Sequence, residues 1–355
     1  MNKKIAILPG DGIGPEVVRE AVKALDAVAK RFGHEFEYKE ALVGAVAIDA
    51  TGNPYPDETH EVCLWSDAIL FGAIGDPKYD NDTSAKIRPE QGLLKMRSAL
   101  GLYANIRPVK SYDSLLDASP LKPEIVKGVD FVVVRELISG IYFGQPRGRS
   151  EDGKYAFDTC EYSADEILRI TEKAFQYAKN RKKKVTLLDK ANVLATSRLW
   201  REIVTKYAEQ HPDIEFECLF IDNAAMQVIQ RPRQFDVMLT ENLFGDIISD
   251  EASVITGTLG LLPSASIGDS AALYEPIHGS YPQAKGKNIA NPMATILSAA
   301  MLLEYSFGWL EEAKAIEAAV EKALEEGIVT EDINQGKYST VQVGDAIVAN
   351  ILAVK

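Results

Sequence analysis

Asp246 and Asp250 stand four residues apart in Phe244-Gly-Asp-Ile-Ile-Ser-Asp250. On an α-helix this spacing puts both carboxylates on one face, where they repel unless something cationic intervenes. Asp222 follows the apolar stretch Cys218 to Ile221 at a strand end and can join them. Oxygen donors of this kind suit Mg²⁺ or Mn²⁺ rather than zinc, although a solvated acidic face has the same spacing. Three arginines lie in mixed or apolar surroundings: Arg97, Arg107, and Arg135 directly after Phe131 to Val134. Guanidinium groups at strand ends suit bidentate capture of carboxylates, and each taken singly also reads as a surface ion pair.

Two glycine motifs invite a nucleotide-binding reading. Gly10-Asp-Gly-Ile-Gly14 follows an apolar run and opens a helical pattern, with Glu35 and Glu37 about 20 residues on. Its spacing is G-x-G-x-G, not the dinucleotide G-x-G-x-x-G, so a tight turn with a helix start is the better reading. Gly148 to Lys154 matches G-x-x-x-x-G-K, but Tyr155 replaces the Ser or Thr that a Mg²⁺-nucleotide site needs.

The elements that must position these residues follow an alternating grammar. Strand patterns at Lys4 to Leu8, Ala68 to Ala73, Val129 to Val134, Lys184 to Leu188, Glu215 to Ile221 and Asp236 to Leu239 alternate with helical patterns. The helical patterns follow Pro15, run near Asn192 to Glu209, Ala224 to Ile229 and Leu243 to Ile255, and recur at Asn291 to Phe307, Glu311 to Glu326 and Asp345 to Ala353. This predicts an α/β fold with a sheet flanked by helices. The glycine-rich segment from Ile141 to Ser163 breaks the pattern. Within it, Tyr155 to Cys160 reads as a strand or hairpin: an arm onto another subunit, or a plain surface hairpin.

A length of 355 residues suggests two domains. The formal charge of −13 opposes binding to nucleic acid or an anionic membrane surface. Three widely spaced cysteines and no CxxC argue against a disulfide framework or zinc site, and fit a cytoplasmic protein. No stretch approaches the roughly 20 apolar residues that span a bilayer.

Taken in order, Leu8–Glu16, Ile87–Leu94, Val134–Leu137, Gly140–Gly144, Asp189–Val193, Phe244–Asp250, Leu261–Ala265, Glu275–Ser280 and Ile289–Pro292 closely resemble the β-decarboxylating dehydrogenases, the isocitrate/isopropylmalate dehydrogenase family. The resemblance implies a two-domain fold with a shared central sheet, not a standard Rossmann fold. Residues 1–102 with 257–355 would form a cofactor-side domain, and 103–256 a dimerisation domain whose arm lies near 141–163. It implies Tyr142 and Lys190 as an acid/base pair, and Arg97, Arg107 and Arg135 as substrate-carboxylate clamps. Asp222, Asp246 and Asp250 would be divalent-metal ligands, with Asp222 also touching substrate. Lys190 and Asp222 would reach the neighbouring subunit's site in a homodimer with two shared active sites. NAD would bind through Glu275, Ile277, His278, Gly279, Ser280, Gln283, Gly286 and Asn291. Where NAD-dependent relatives usually carry an Asp for the adenosine ribose, this chain has Gln283, which lacks the charge that repels a 2′-phosphate. The Lys-Tyr pair associated with NADP in related isocitrate enzymes is also absent, so NAD is expected.

The reaction so implied oxidises a secondary alcohol beside a carboxylate and then releases CO₂ from the β-keto acid. Leu93, Leu94 and Val193 offer an apolar wall, and Glu90 opposes an anionic arm, so the expected substrate is 3-isopropylmalate rather than isocitrate or tartrate. The product would be 4-methyl-2-oxopentanoate, in leucine biosynthesis. Rival expectations are a sister dehydrogenase acting on tartrate, D-malate or homoisocitrate, a Mg²⁺-dependent phosphoryl-transfer enzyme, and a silent nucleotide-binding module.

Overall fold

A computed structural model describes residues 2–81 and 85–353. The chain divides into two compact units, one of residues 1–102 with 257–355 and one of residues 103–256.

In the first unit the strands Glu35–Glu40, Asn2–Gly10, Ala68–Ala73, Ala272–Pro276 and Pro263–Ile267 lie side by side in that order. All neighbours are parallel except the last pair. Ala68–Ala73 and Ala272–Pro276 are buried throughout, as strands covered on both faces must be. Pro15 opens the helix Gly14–Phe32 and Gly33 closes it in the left-handed conformation. Its buried stripe Val17, Val18, Ala21, Ala24, Leu25 and Val28 packs on the helices Met293–Phe307 and Thr340–Ala353.

The second unit orders its strands Ala104–Lys110, Asp130–Glu136, Val237–Thr240, Lys184–Asp189 and Glu215–Phe220, with only the first pair antiparallel. The helix Ala164–Lys179 starts in a capping box, Ser163 and Glu166 satisfying each other's backbone N–H groups. The helix Asn242–Thr256 buries Ile248, Ala252 and Ile255 against Val109, Phe131 and Val133, which fixes which of its faces is left for Asp246 and Asp250.

Several boundaries differ from those expected. Asp222 is not at a strand end but in the first turn of the helix Ile221–Gln230. Arg97 lies on the helix Pro89–Ala99 and Arg107 in mid-strand. The helix expected from Asn192 starts at Ala195, and the last one starts at Thr340 instead of Asp345. The hairpin pairs Gly148–Arg149 with Ala156–Phe157 only, so the strand expected to run to Cys160 ends early. Strands Glu35–Glu40 and Ala104–Lys110 escaped the pattern, the first because its half-exposed face is charged, the second because Pro108 interrupts it.

Gly10-Asp-Gly-Ile-Gly14 is a turn dictated by backbone approach. Gly10 and Gly12 have φ of +69° and +58°, and a Cβ on Gly12 would lie 2.0 Å from the Ser280 carbonyl oxygen. Between them the buried Asp11 carboxylate accepts from the backbone N–H groups of Ala45, Val46 and Gly75 at 2.9, 3.0 and 2.9 Å. Asp11 therefore ties three chain segments together without touching a phosphate. Asp11→Ala orphans three donors, and we expect it to destabilise this unit by about 2–4 kcal/mol, read as a lowered urea midpoint. An unchanged midpoint would deny Asp11 this role.

Candidate active site

The strongest concentration of charge in the second unit converges on Asp246. Its Oδ1 accepts from Arg135 Nη1 at 2.6 Å and lies 3.7 Å from Arg107 Nη2, while its Oδ2 accepts from the Tyr142 hydroxyl at 2.8 Å. Arg107 Nη1 reaches Asp250 Oδ1 at 3.4 Å, so guanidinium groups neutralise both carboxylates of the helical face. Gly245 makes this approach possible: a Cβ there would lie 2.6 Å from Arg135 Cγ and 2.3 Å from Thr240 Oγ1.

Each cation is itself held. Arg107 donates through Nε to Asn105 Oδ1 at 2.8 Å and through Nη1 to Ser249 Oγ at 2.6 Å. Arg135, only 2% exposed, donates through Nε and Nη2 to Asn242 Oδ1 at 3.1 and 2.7 Å. Burial, reinforced by the bond to Asp246, pushes the Tyr142 phenol up to about 12, so it carries its proton at neutral pH. Burial also raises Asp250, against the pull of Arg107. The Asp250 side chain is nonetheless 65% exposed and has oxygen lone pairs free for a further ligand.

Lys190 and Asp222 form a second charged pair. Their side chains bond to each other at 2.6 Å, and the ammonium holds the exposed Asp222 carboxyl below its ordinary range. Val193 is exposed. Among the described residues of one chain, no three His, Cys, Asp or Glu side chains are placed to hold a metal ion together. Asp246 and Asp250 on one face supply two hard oxygen donors of the kind a divalent cation takes.

In the first unit Arg97 and Glu275 are both buried and paired at 2.8 Å, while Arg97 Nε has no partner. Leu93 packs partly against the core and Glu90 is exposed one helical turn before Leu94. A cleft of about 580 Å³ is lined by Ile13, Thr258 to Gly260, His278, Gly279, Tyr281, Ile289 to Asn291, Glu331 and Asp332. Burial holds the His278 ring below its usual range; its Nδ1 meets the Gly279 carbonyl oxygen at 3.0 Å, and its buried Nε2 has no partner. Of the other expected dinucleotide residues, Ser280 accepts from Ile13 N–H through its carbonyl oxygen, and Gly286 N–H donates to Glu16 at 2.5 Å. Gln283 is exposed in the short turn Pro282–Ala284, and Ile277 is half-buried.

The sequence reading missed Asn105, Ser249 and Asn242, which hold the arginines, and Asp332, which accepts from Thr258, Asn291 and Thr330 at 2.6, 3.0 and 2.5 Å. Buried polar residues obey no periodicity, so only adjacency to a motif could have marked them. Gly148 to Lys154 is the turn of the exposed hairpin, closed by Asp152 accepting from the Ser150 hydroxyl and Lys154 N–H. It makes no phosphate loop.

A family model described as isocitrate/isopropylmalate dehydrogenase matches residues 4–347. The chain is 55% identical over 357 residues to the 3-isopropylmalate dehydrogenase of Aquifex aeolicus, covering 99% of this chain and 98% of that one. It is 58% identical over 335 residues to the enzyme of the same name from Geobacillus kaustophilus, covering 94% and 90%. Its structure superposes on crystalline isocitrate dehydrogenase from Methylococcus capsulatus with a TM-score of 0.89, at 36% identity over 99% of both chains.

Beside this site, burial pushes the carboxyls of Glu136 and Glu241 up to about 7, and in Glu241 repulsion from Asp189 and Glu136 adds to it. Because their folded-state values exceed the unfolded ones, the stability they confer is complete below pH 4.5 and is lost as pH rises through about 7. Glu241→Gln stays neutral at every pH. We expect it to gain about 3 kcal/mol on the native protein between pH 4.5 and 8, measured by denaturant unfolding; a pH-independent difference would refute the shift.

Proposed function

The chain belongs to the isocitrate/isopropylmalate dehydrogenase family, and from that premise we propose that it oxidises and decarboxylates 3-isopropylmalate to 4-methyl-2-oxopentanoate and CO₂, using NAD⁺ and Mg²⁺ or Mn²⁺. The observation that carries this reading is the convergence of Arg107, Arg135 and Tyr142 on Asp246, one helical turn from Asp250.

Asp246 and Asp250 of one subunit, with Asp222 of its neighbour, would hold the cation. Bound there, the cation would supply Lewis acidity toward substrate oxygen, and the dinucleotide would supply the capacity to take a hydride. The protein's own residues do the rest. Arg107 and Arg135 take a substrate carboxylate through N–H groups already aimed at anionic oxygen, so little reorganisation is needed on binding. Arg97 would add a further clamp. Lys190 of the neighbouring subunit, as the neutral amine, would accept the hydroxyl proton, and Tyr142, protonated at neutral pH, would return one to the enol carbon.

Glu275, Ile277, His278, Gly279, Ser280, Gln283, Gly286 and Asn291 are proposed to hold the dinucleotide. The cleft that includes His278, Gly279 and Asn291 is also lined by Glu331 and Asp332 and by no Lys or Arg. That charge opposes the 2′-phosphate of NADP and favours NAD, in the place of the Asp that Gln283 lacks. For the substrate, Leu93, Leu94 and Val193 would accept an isopropyl group, while Glu90 opposes a third carboxylate.

A homodimer with shared sites is part of the proposal. It is supported by the pairing of Lys190 with Asp222, and by apolar side chains on the second unit, Met226 at 55% and Ile247 at 58% exposed. The hairpin, with Tyr155 at 65% exposed, would serve as the intersubunit arm.

In an absorbance assay for NADH, 3-isopropylmalate with Mg²⁺ should turn over with kcat/KM about a hundredfold or more above isocitrate or tartrate, and with NAD⁺ well above NADP⁺. Equal turnover of isocitrate would overturn the substrate assignment. A second assay addresses the sharing of sites. Lys190→Met and Asp250→Asn should each be inactive alone, yet chains unfolded and refolded together should recover about a quarter of the native activity, because half the dimers then contain one complete site. Failure to recover activity in proven heterodimers would place Lys190 in its own chain's site.

A further inference from the structure

Asn242 begins the helix that carries Asp246 and Asp250, is fully buried, and uses both ends of its amide. Its Oδ1 accepts from Arg135 twice, from Nε at 3.1 Å and Nη2 at 2.7 Å. Its Nδ2 donates to the carbonyl oxygens of Leu137 and Ser139 at 3.0 and 3.1 Å. The opposite amide orientation would set N–H against guanidinium and oxygen against two carbonyls, so the environment allows only this one. The backbone N–H of Asn242 donates to the Tyr162 hydroxyl at 2.9 Å, and that hydroxyl fills the space where a Cβ on Gly140 would be. The segment from Leu137 to Ser139 leads directly into the turn Gly140–Tyr142.

We propose that Asn242 is a positioning residue that locks the Arg135 clamp and the Tyr142 turn into one register relative to the helix of Asp246 and Asp250. It touches no reacting atom. Arg135 has one N–H arm on Asp246 and two on Asn242, so the amide sets the direction in which the guanidinium fork faces a substrate carboxylate. The same amide fixes the backbone that delivers the Tyr142 hydroxyl to Asp246, 2.8 Å away. Its two functions are chemically separable. Aspartate keeps an acceptor for Arg135 and loses both donations to the turn, whereas alanine loses both functions. The inference rests on the clamp and acid roles given above for Arg135 and Tyr142.

The test compares the native enzyme with Asn242→Asp, Asn242→Ala and Arg135→Lys, each shown folded by near-ultraviolet circular dichroism at the assay temperature. Binding of 3-isopropylmalate with Mn²⁺ is measured by calorimetry, and kcat and KM across pH by NADH formation. For Asn242→Asp we expect affinity within about threefold of native, kcat lowered about thirtyfold, and a displaced alkaline limb of the kcat profile. Asn242→Ala should also bind substrate at least about tenfold more weakly. Asn242→Ser serves the same comparison should the alanine variant not fold. Asn242 would have no positioning role if folded variants lost only thermal stability, with kcat and KM within about twofold of native, or if the aspartate and alanine variants lost affinity and kcat equally. Native affinity in Arg135→Lys would instead overturn the clamp assignment, whatever the Asn242 variants do.

Discussion

The second unit depends on a single shared anion. Asp246 is the point at which two guanidinium groups and a phenol meet, and Arg135, almost wholly buried, would be intolerable without it. A buried cation stripped of its partner costs roughly 3–5 kcal/mol. Arg135 offsets that through Asp246 and Asn242 together, and Arg107 through Asn105, Ser249 and the edge of Asp250. Positive charge thereby surrounds the acidic face of one helix, and two carboxylates a turn apart become an asset instead of a repulsive pair. The side chains that make the fold tolerate these charges are also the ones that aim them.

The two units handle polar groups in the same manner. In the first, Asp11 collects three backbone donors, Glu16 holds Gly286 and Asn288, and Asp332 gathers Thr258, Asn291 and Thr330 at the wall of the His278 cleft. Each carboxylate fastens loops that have little apolar surface of their own, and such loops need specific bonds to be ordered. Around His278 this leaves a cleft whose walls are set by hydrogen bonds.

Much of this was legible in the sequence, for reasons that differ among residues. The helix Gly14–Phe32 announced itself because its apolar stripe and Pro15 speak for the same element. Strands such as Ala68–Ala73 were visible because burial on both faces makes them continuously apolar. Asp246 and Asp250 were readable as a pair from spacing alone, and the need for a neighbouring cation followed from their repulsion. Asn242, Ser249 and Glu241 were not readable, since a buried polar residue takes its meaning from partners more than 50 residues away in sequence, as Asn242 does with Leu137 and Arg135. The glycines of Gly10 to Gly14 were readable as a tight turn because their spacing does not match a dinucleotide motif, and the positive φ of Gly10 and Gly12 beside the Ser280 carbonyl gives the turn its reason.

The first unit is assembled from both ends of the chain, and this has a consequence for biogenesis. During synthesis the segment up to Leu102 leaves the ribosome without the strands Pro263–Ile267 and Ala272–Pro276 that complete its sheet, or the helices that cover Gly14–Phe32. At about 5–20 residues per second it waits many seconds in that state. Its open sheet edge and the bare stripe of its first helix are surfaces a holdase chaperone would grip, whereas residues 103–256 form their compact unit from one continuous stretch.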